Sequence, residues 1–186
     1  MNQTSKKTNF LSKKKSIIVS TSVIIFSVIL DQITKILADK HLTKSDEIEV
    51  IPNILGLSFV KNEGAAFGMF ADNRWIFMVF STFAIGVMIY FLLTLKDSHP
   101  LLVISLSMLI GGGIGNMIDR ISRGYVIDFF KFLFVKFAVF NVADCFVTVG
   151  AVLLAIYLLF LFKDETPNEI DNNKPEEETD VKESNS

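Results

Sequence analysis

A single cysteine in 186 residues, Cys145, rules out a disulfide framework and any zinc cluster built from several thiolates. Histidine is almost as scarce, with only His41 and His99, and no His-Glu-x-x-His occurs. Positive charge is not in excess: 18 Lys and Arg stand against 20 Asp and Glu, so the electrostatic footprint of a nucleic-acid-binding chain is missing. The most informative absence is local. Residues 16–30, 75–95 and 98–118 contain no Asp, Glu, Lys or Arg, and residues 140–162 contain one, Asp144. A soluble domain spreads its charge more evenly, so a cytosolic enzyme is excluded at the outset.

What is present is a greasy middle between polar tails. A helix needs roughly 20 mainly apolar residues to cross about 30 Å of hydrocarbon, and four segments qualify. The first continues past Leu30 through Asp31 and Lys35 and shows no small-x-small cleavage site, so it reads as an uncleaved anchor and not as a signal peptide. Five Lys among residues 1–15, with no acid, place the amino terminus inside, and four crossings return the carboxyl terminus to the same side. The expected organisation is a basic cytoplasmic tail (1–15), a four-helix membrane domain (16–162) and an acidic tail (163–186). That last tail has nine acids against three Lys and too little apolar surface to fold. Between the spans, residues 46–68 carry short β-branched and apolar runs broken by Pro52-Asn53 and Gly56, which predicts strands or a hairpin. Residues 129–140, with Phe at six of the twelve positions, are too short to span and too apolar for water. They are expected in the interface or under a lid, and can return on themselves as a hairpin.

Threaded in this order, the polar residues of the helices gather at the outer face. Asp31 and Lys35 lie at the outer end of the first helix, Asn116, Asp119 and Arg120 at that of the third, Asn141 and Asp144 at that of the fourth, and Asp128 in the loop joining the last two. A charge at the middle of a spanning helix costs about 2.5–3.5 kcal/mol on insertion scales, so several at one level mark a site. Each also has a plainer reading. Asp31 and Lys35, spaced i,i+4 with the acid first, suit a structural ion pair. Asp119-Arg120 can reach the headgroups, Asp128 can be a polar turn residue, and the two asparagines can join helix to helix.

Elimination narrows the chemistry. His41 and His99 fall on opposite sides of the membrane, which leaves no Ser-His-Asp triad at the polar cluster and no metal site. A Lys35 general base is disfavoured by Asp31 one turn away, and Cys145 in apolar surroundings is a poor nucleophile. No cofactor is implied. Two carboxylates remain. If Asp128 and Asp144 come together, one holds a proton that the other cannot, so one polarises a carbonyl while the other activates water. The rival reading is a proton-coupled carrier using Asp31, Asp119 and Asp144 as relays, and a structural subunit is a third. A carrier would distribute its acids through the bilayer depth, whereas these sit at one end.

Five stretches carry a resemblance to a known family: Asp31-Gln-Ile-Thr-Lys35, Asn62-Glu-Gly-Ala-Ala-Phe67, Gly115-Asn-Met-Ile-Asp-Arg120, Gly124-Tyr-Val-Ile-Asp-Phe129 and Phe140-Asn-Val-Ala-Asp144. In order and spacing they resemble the motif set of the bacterial lipoprotein signal peptidases, or signal peptidase II. The resemblance implies an all-α membrane protein with a small β part: four transmembrane helices, an extracytoplasmic β-sheet cradle and a short interfacial helix. It also implies an aspartic endopeptidase of the plasma membrane, active at the extracytoplasmic face, that cuts prolipoproteins just before a diacylglyceryl-modified Cys. Asp128 and Asp144 take the catalytic roles. Asn62, Gly64 and Ala65 match the substrate-holding motif, Asn116, Asp119, Arg120 and Asn141 the polar surroundings of the dyad, and Asp31 and Lys35 a supporting motif. The expected partners are prolipoprotein substrates and membrane lipids, with the enzyme a monomer and no nucleic acid involved.

Overall fold

The computed structural model describes residues 11–42, 47–64, 74–96 and 98–162. Helix α1 spans Lys13–His41, strands β1 and β2 span Glu47–Ile51 and Leu55–Asn62, and helices α2 and α3 span Arg74–Thr94 and Pro100–Ser122. Strand β3 spans Val126–Phe132, and α4 spans Val142–Ile156 before tightening into a π-helical turn over Tyr157–Leu161. The basic and acidic tails lie outside the described residues apart from residues 11–15. So do residues 65–73, which include Ala65 and the stretch between the sheet and α2.

Local chemistry sets these boundaries. Pro100 opens α3 behind His99, whose Nδ1 accepts from the Leu101 amide at 3.2 Å, so the helix begins two residues later than its uncharged run. Gly124, with φ 83°, turns the chain from α3 into β3 in a conformation that a side chain would strain. Asn53, with φ 59°, makes the β1–β2 turn, a conformation asparagine tolerates. α1 starts at Lys13, three residues ahead of its apolar run, because long Lys side chains can reach water from a helix end.

The three strands form an antiparallel sheet in the order β1-β2-β3. The predicted hairpin is there, and a third strand joins it, which runs into the start of the apolar stretch expected in the interface or under a lid. Asn62 pairs with Val126 and Val60 with Asp128, while an irregularity between Leu57 and Val60 breaks the even register. One face of β3 buries Ile127 and Phe129 against Ala38, Leu42 and Phe59, which seats the sheet on the end of α1. After β3 the chain doubles back, and the Phe140 amide and carbonyl both bond to Phe130. This is the return that brings residue 141 to the start of α4.

α1, α3 and α4 with its π-helical turn are each long and apolar enough to cross a membrane, and α2 is an apolar helix of 21 residues. Phe26, Phe80, Phe83, Tyr90 and Leu159 point outward and exposed, a surface suited to lipid and not to water. Inside, Leu102, Val103, Leu106 and Ile110 of α3 pack with Leu92 and Tyr157. Toward the sheet the packing changes character, because glycines let the helices close up. A Cβ at Gly112 would lie 2.5 Å from the Ala143 carbonyl, and one at Gly115 would lie 2.6 Å from the Asp31 carboxylate. At these positions α3 comes this close to α1 and α4 because it lacks side chains there.

Substituting Gly112→Val forces that contact apart and should destabilise the protein by about 1–3 kcal/mol, the usual range for overpacking. Gly86→Ala in α2, with nothing within 4 Å of the added carbon, should leave stability unchanged or slightly higher. Thermal unfolding of both variants in detergent micelles tests the pair; equal midpoints would show that the close approach at Gly112 is not limiting.

Candidate active site

Asp128 and Asp144 arrive from different elements. β3 carries Asp128 as a mid-strand residue whose side chain shares a sheet face with Asn62, its diagonal neighbour across the β2–β3 pair. The Asn62 amide nitrogen donates to Asp128 Oδ2 at 2.9 Å, and Asn62 Oδ1 accepts from the Gly64 backbone amide at 3.1 Å, which fixes the direction of that amide. Asp144 sits at the third position of α4 in a reciprocal cap. Its backbone amide donates to Asn141 Oδ1 at 3.0 Å, and its own carboxylate accepts from the Asn141 amide at 3.1 Å.

Asn141 also joins the two acids. Its Nδ2 donates to Asp128 Oδ1 at 2.6 Å while its Oδ1 holds the Asp144 amide, so one fully buried side chain spans both. Asn116, from α3, closes the other side: its Nδ2 donates to Asp144 Oδ1 at 2.8 Å, and its Oδ1 accepts from Asn141 at 3.1 Å and from Lys35 Nζ at 2.8 Å. Lys35 is itself fully buried, 2.9 Å from Asp31 and 3.1 Å from Asp119. The i,i+4 pair read from the sequence is thus real, and Asp119, for which headgroup contact was the plainer reading, is turned inward with no exposure. Asp119 also faces Arg123, with Nε 3.6 Å away, and Arg123 reaches Asp39 at 3.0 Å.

The carboxylates open on a cavity of about 750 Å³. Arg120, Asn62 and Gly64 line it with Asp128 and Asp144, and Phe132, Phe137 and Phe140 form an apolar wall. Phe132 and Phe140 approach to 5.0 Å between ring centres, so the stretch expected to shelter the site does contribute a packed aromatic side to it. Burial pushes the Asp128 carboxyl up to about 6; the Asn62 hydrogen bond pulls it back, the charge of Asp144 adds to the rise, and Asn141 and Lys35 oppose it. A carboxyl whose proton affinity is raised toward neutrality beside a second carboxylate is an arrangement suited to general acid–base chemistry. Among the described residues no group of three or more His, Cys, Asp or Glu could hold a metal ion.

Of the sequence-derived site residues, Asp31, Lys35, Asn62, Asn116, Asp119, Asp128, Asn141 and Asp144 form one hydrogen-bonded network, with Gly64 bonded to Asn62 and Arg120 on the cavity wall and reaching the Asn116 carbonyl at 3.4 Å. Ala65 lies outside the described residues. Sequence reasoning passed over Gln32, whose amide donates to Asp31 and to the Gly115 carbonyl, both at 3.1 Å. It also passed over the backbone amides of Ala143 and Ile127, which donate to Asp31 at 2.9 Å and to Asp119 at 3.2 Å. Main-chain donors leave no mark in a sequence; Gln32 was visible only as a polar residue beside Asp31 on an otherwise apolar helix.

Comparison with known proteins agrees with this architecture. The sequence profile of the family described as signal peptidase (SPase) II matches residues 23–160. A lipoprotein signal peptidase of Symbiobacterium thermophilum is 42% identical over 144 residues, covering 76% of this chain and 95% of that relative. One from Streptococcus pyogenes serotype M1 is 41% identical over 153 residues, covering 82% and 97%. Among solved structures, a bacterial membrane enzyme determined by the in meso method at 2.3 Å resolution superposes with a TM-score of 0.74 at 30% identity, covering 82% of this chain and 94% of that one. A second, at 1.9 Å resolution, gives 0.71 at 31% identity, covering 76% and 93%. With several long apolar helices and these neighbours, the chain is a multi-pass membrane protein, and by the match across most of its length it belongs to the signal peptidase II family of proteases.

Proposed function

We propose that this protein is an aspartic endopeptidase that removes the signal peptide from prolipoproteins, cleaving just before a Cys that bears a diacylglyceryl group. The observation that carries the reading is that Asp128 and Asp144 open on one cavity and share one buried asparagine, Asn141. Asp128 is buried and Asp144 half-buried. Together, with one proton between them, they supply a base and an acid at the same point.

The substrate preference follows from the surroundings. One side of the cavity, Phe132, Phe137 and Phe140, and the outer surfaces of the helices are apolar, so a signal helix and the acyl chains beside its cleavage point can stay in lipid while the scissile peptide enters the cavity. The charged acid of the dyad takes a proton from water as it attacks the carbonyl carbon, and the protonated acid gives its proton to the carbonyl oxygen. As the resulting diol collapses, the acid that took the water proton gives it to the leaving amine of the Cys, and a diol hydroxyl returns a proton to the other acid, so the dyad again holds one proton. Four membrane crossings with both termini cytoplasmic put this cavity at the outer face of the bacterial plasma membrane. The basic and acidic tails are then cytoplasmic and take no part in the reaction.

Asp128→Asn and Asp144→Asn should each abolish cleavage of a diacylglyceryl prolipoprotein while the protein stays inserted and monodisperse in detergent. Full turnover in either variant would refute the dyad. An unmodified precursor, offered in the same assay, should be cut far more slowly than the lipid-bearing one.

The raised Asp128 value adds a pH dependence. Its folded value near 6 lies above the ordinary carboxylate value of 3.8, so between about pH 4 and 6 the native state binds more protons than the unfolded chain. Stability contributed by this group is therefore full below pH 4 and falls as pH rises through 6, by about 3 kcal/mol in total. Thermal unfolding should show that slope in the wild type and lack it in Asp128→Asn. In kinetics, kcat/KM should decline on the alkaline side with an apparent value near 6 that belongs to the pair. Asn62→Ala removes a donor that favours the charged form, so it should move this limb to higher pH.

A further inference from the structure

Each dyad acid is preceded by a residue whose backbone amide is held by another carboxylate. Ala143, immediately before Asp144, donates its amide to Asp31 Oδ1 at 2.9 Å, and Ile127, immediately before Asp128, donates its amide to Asp119 Oδ2 at 3.2 Å. Asp31 and Asp119 come from different helices, and the same ammonium lies between them: Lys35 Nζ is 2.9 Å from one and 3.1 Å from the other. Its remaining contact, at 2.8 Å, is Asn116 Oδ1. From this geometry we propose that Lys35 is the positioning residue of the dyad, setting the separation and orientation of Asp128 and Asp144 through Asp31, Asp119 and Asn116. The proposal rests on the dyad reading above and names the group that assembles it.

Two features make Lys35 the centre of the assembly and not simply one ion pair among several. The first is that each of its carboxylate partners reaches one catalytic segment by a main-chain hydrogen bond, so an ammonium that draws Asp31 and Asp119 together also draws the α4 amino terminus toward β3. The second concerns the Asn116 amide. An ammonium can only donate, so its bond to Asn116 Oδ1 turns the NH₂ group toward Asp144, where it donates at 2.8 Å. Asn141 donates to the same Oδ1 and to Asp128. Without Lys35 the Asn116 amide loses its strongest reason to hold that orientation, and a flipped amide would present oxygen to the Asp144 carboxylate.

The other titratable groups facing the dyad are Arg120 from α3, Lys61 and Glu63 at the end of β2, and Cys145 on α4, all on the cavity wall. These stay in place in the variants proposed. Lys35→Met alone strands two buried carboxylates and can fail to fold. Asp31→Asn/Lys35→Met removes the charge pair together and leaves Asp119 with Arg123, and neutral replacement of a whole buried pair is often tolerated. In this double variant the Asn side chain can still accept from Ala143, so the fold keeps its frame while the Lys35 link is gone.

The test is steady-state cleavage of a diacylglyceryl prolipoprotein in nanodiscs, with thermal unfolding as the folding control. The double variant should lose about a hundredfold in kcat, the scale expected of a misplaced catalytic group, with KM changed by less than about threefold, since binding contacts are untouched. The alkaline limb of kcat/KM should move to higher pH, because the Lys35 charge opposes the upward push on Asp128. Wild-type kcat and an unmoved limb in folded double variant would overturn the proposal and reduce Lys35 to a structural ion pair. If Asp128→Asn or Asp144→Asn is active, the dyad itself fails and the proposal with it; if both are inactive while the double variant is fully active, only the role of Lys35 falls.

Discussion

A lysine ammonium with no solvent exposure, set among helices that face lipid, is the constraint on which the sheet-bearing half of this protein depends. Taking such a charge out of water costs several kcal/mol, and the cost is offset only by close partners with good geometry. Lys35 has three, at 2.8, 2.9 and 3.1 Å, contributed by its own helix and by α3. Those partners in turn hold β3 and the amino terminus of α4. Breaking any one contact leaves a buried charge or amide unsatisfied, so the cluster tends to form whole or not at all. This is how a bundle held by ordinary apolar packing away from the sheet acquires a defined geometry at its other end.

The glycines of α3 belong to the same constraint. Gly115 stands where a methyl group would collide with the Asp31 carboxylate, and Gly112 where one would collide with the Ala143 carbonyl. Polar groups bond well only at short range, and two helices with ordinary side chains between them stay 8–10 Å apart. Removing those side chains on one face of α3 lets the carboxylate of α1 reach the amide of α4 past it. Packing and electrostatics are therefore two descriptions of one arrangement at this level of the bundle.

Much of this was legible in the sequence. Charge-free runs announced the helices, and the few polar residues that interrupt them clustered at one end once threaded through a membrane. Pro52-Asn53 marked the β1–β2 turn because Asn accepts the left-handed backbone found there. The third strand was not singled out because residues 126–132 carry apolar side chains on both faces; Ile127 and Phe129 bury against α1 while Phe130 and Phe132 turn the other way, and Asp128 and Lys131 fall on opposite faces, so no alternation of apolar and polar announces a strand. Headgroup contact stayed open as the plainer reading of Asp119, since nothing in sequence says that Lys35, 84 positions away, can be its partner. The amides of Ala143 and Ile127 could not be foreseen at all, because every residue but proline has one.

Asp144, one acid of the proposed dyad, is also half of the cap that starts α4. A side chain committed to its own helix terminus has no freedom to follow a substrate that arrives in the wrong place. The reacting point is thus fixed relative to the helix, and the helix is fixed relative to the hydrocarbon it crosses. In the proposed reaction a peptide would then be selected by depth: the bond that reaches the level of the α4 amino terminus would be the bond presented to the acids, and an anchor on the substrate at a set height in the lipid would determine which bond that is. Position along the membrane normal would do the work that a deep side-chain pocket does in a soluble protease.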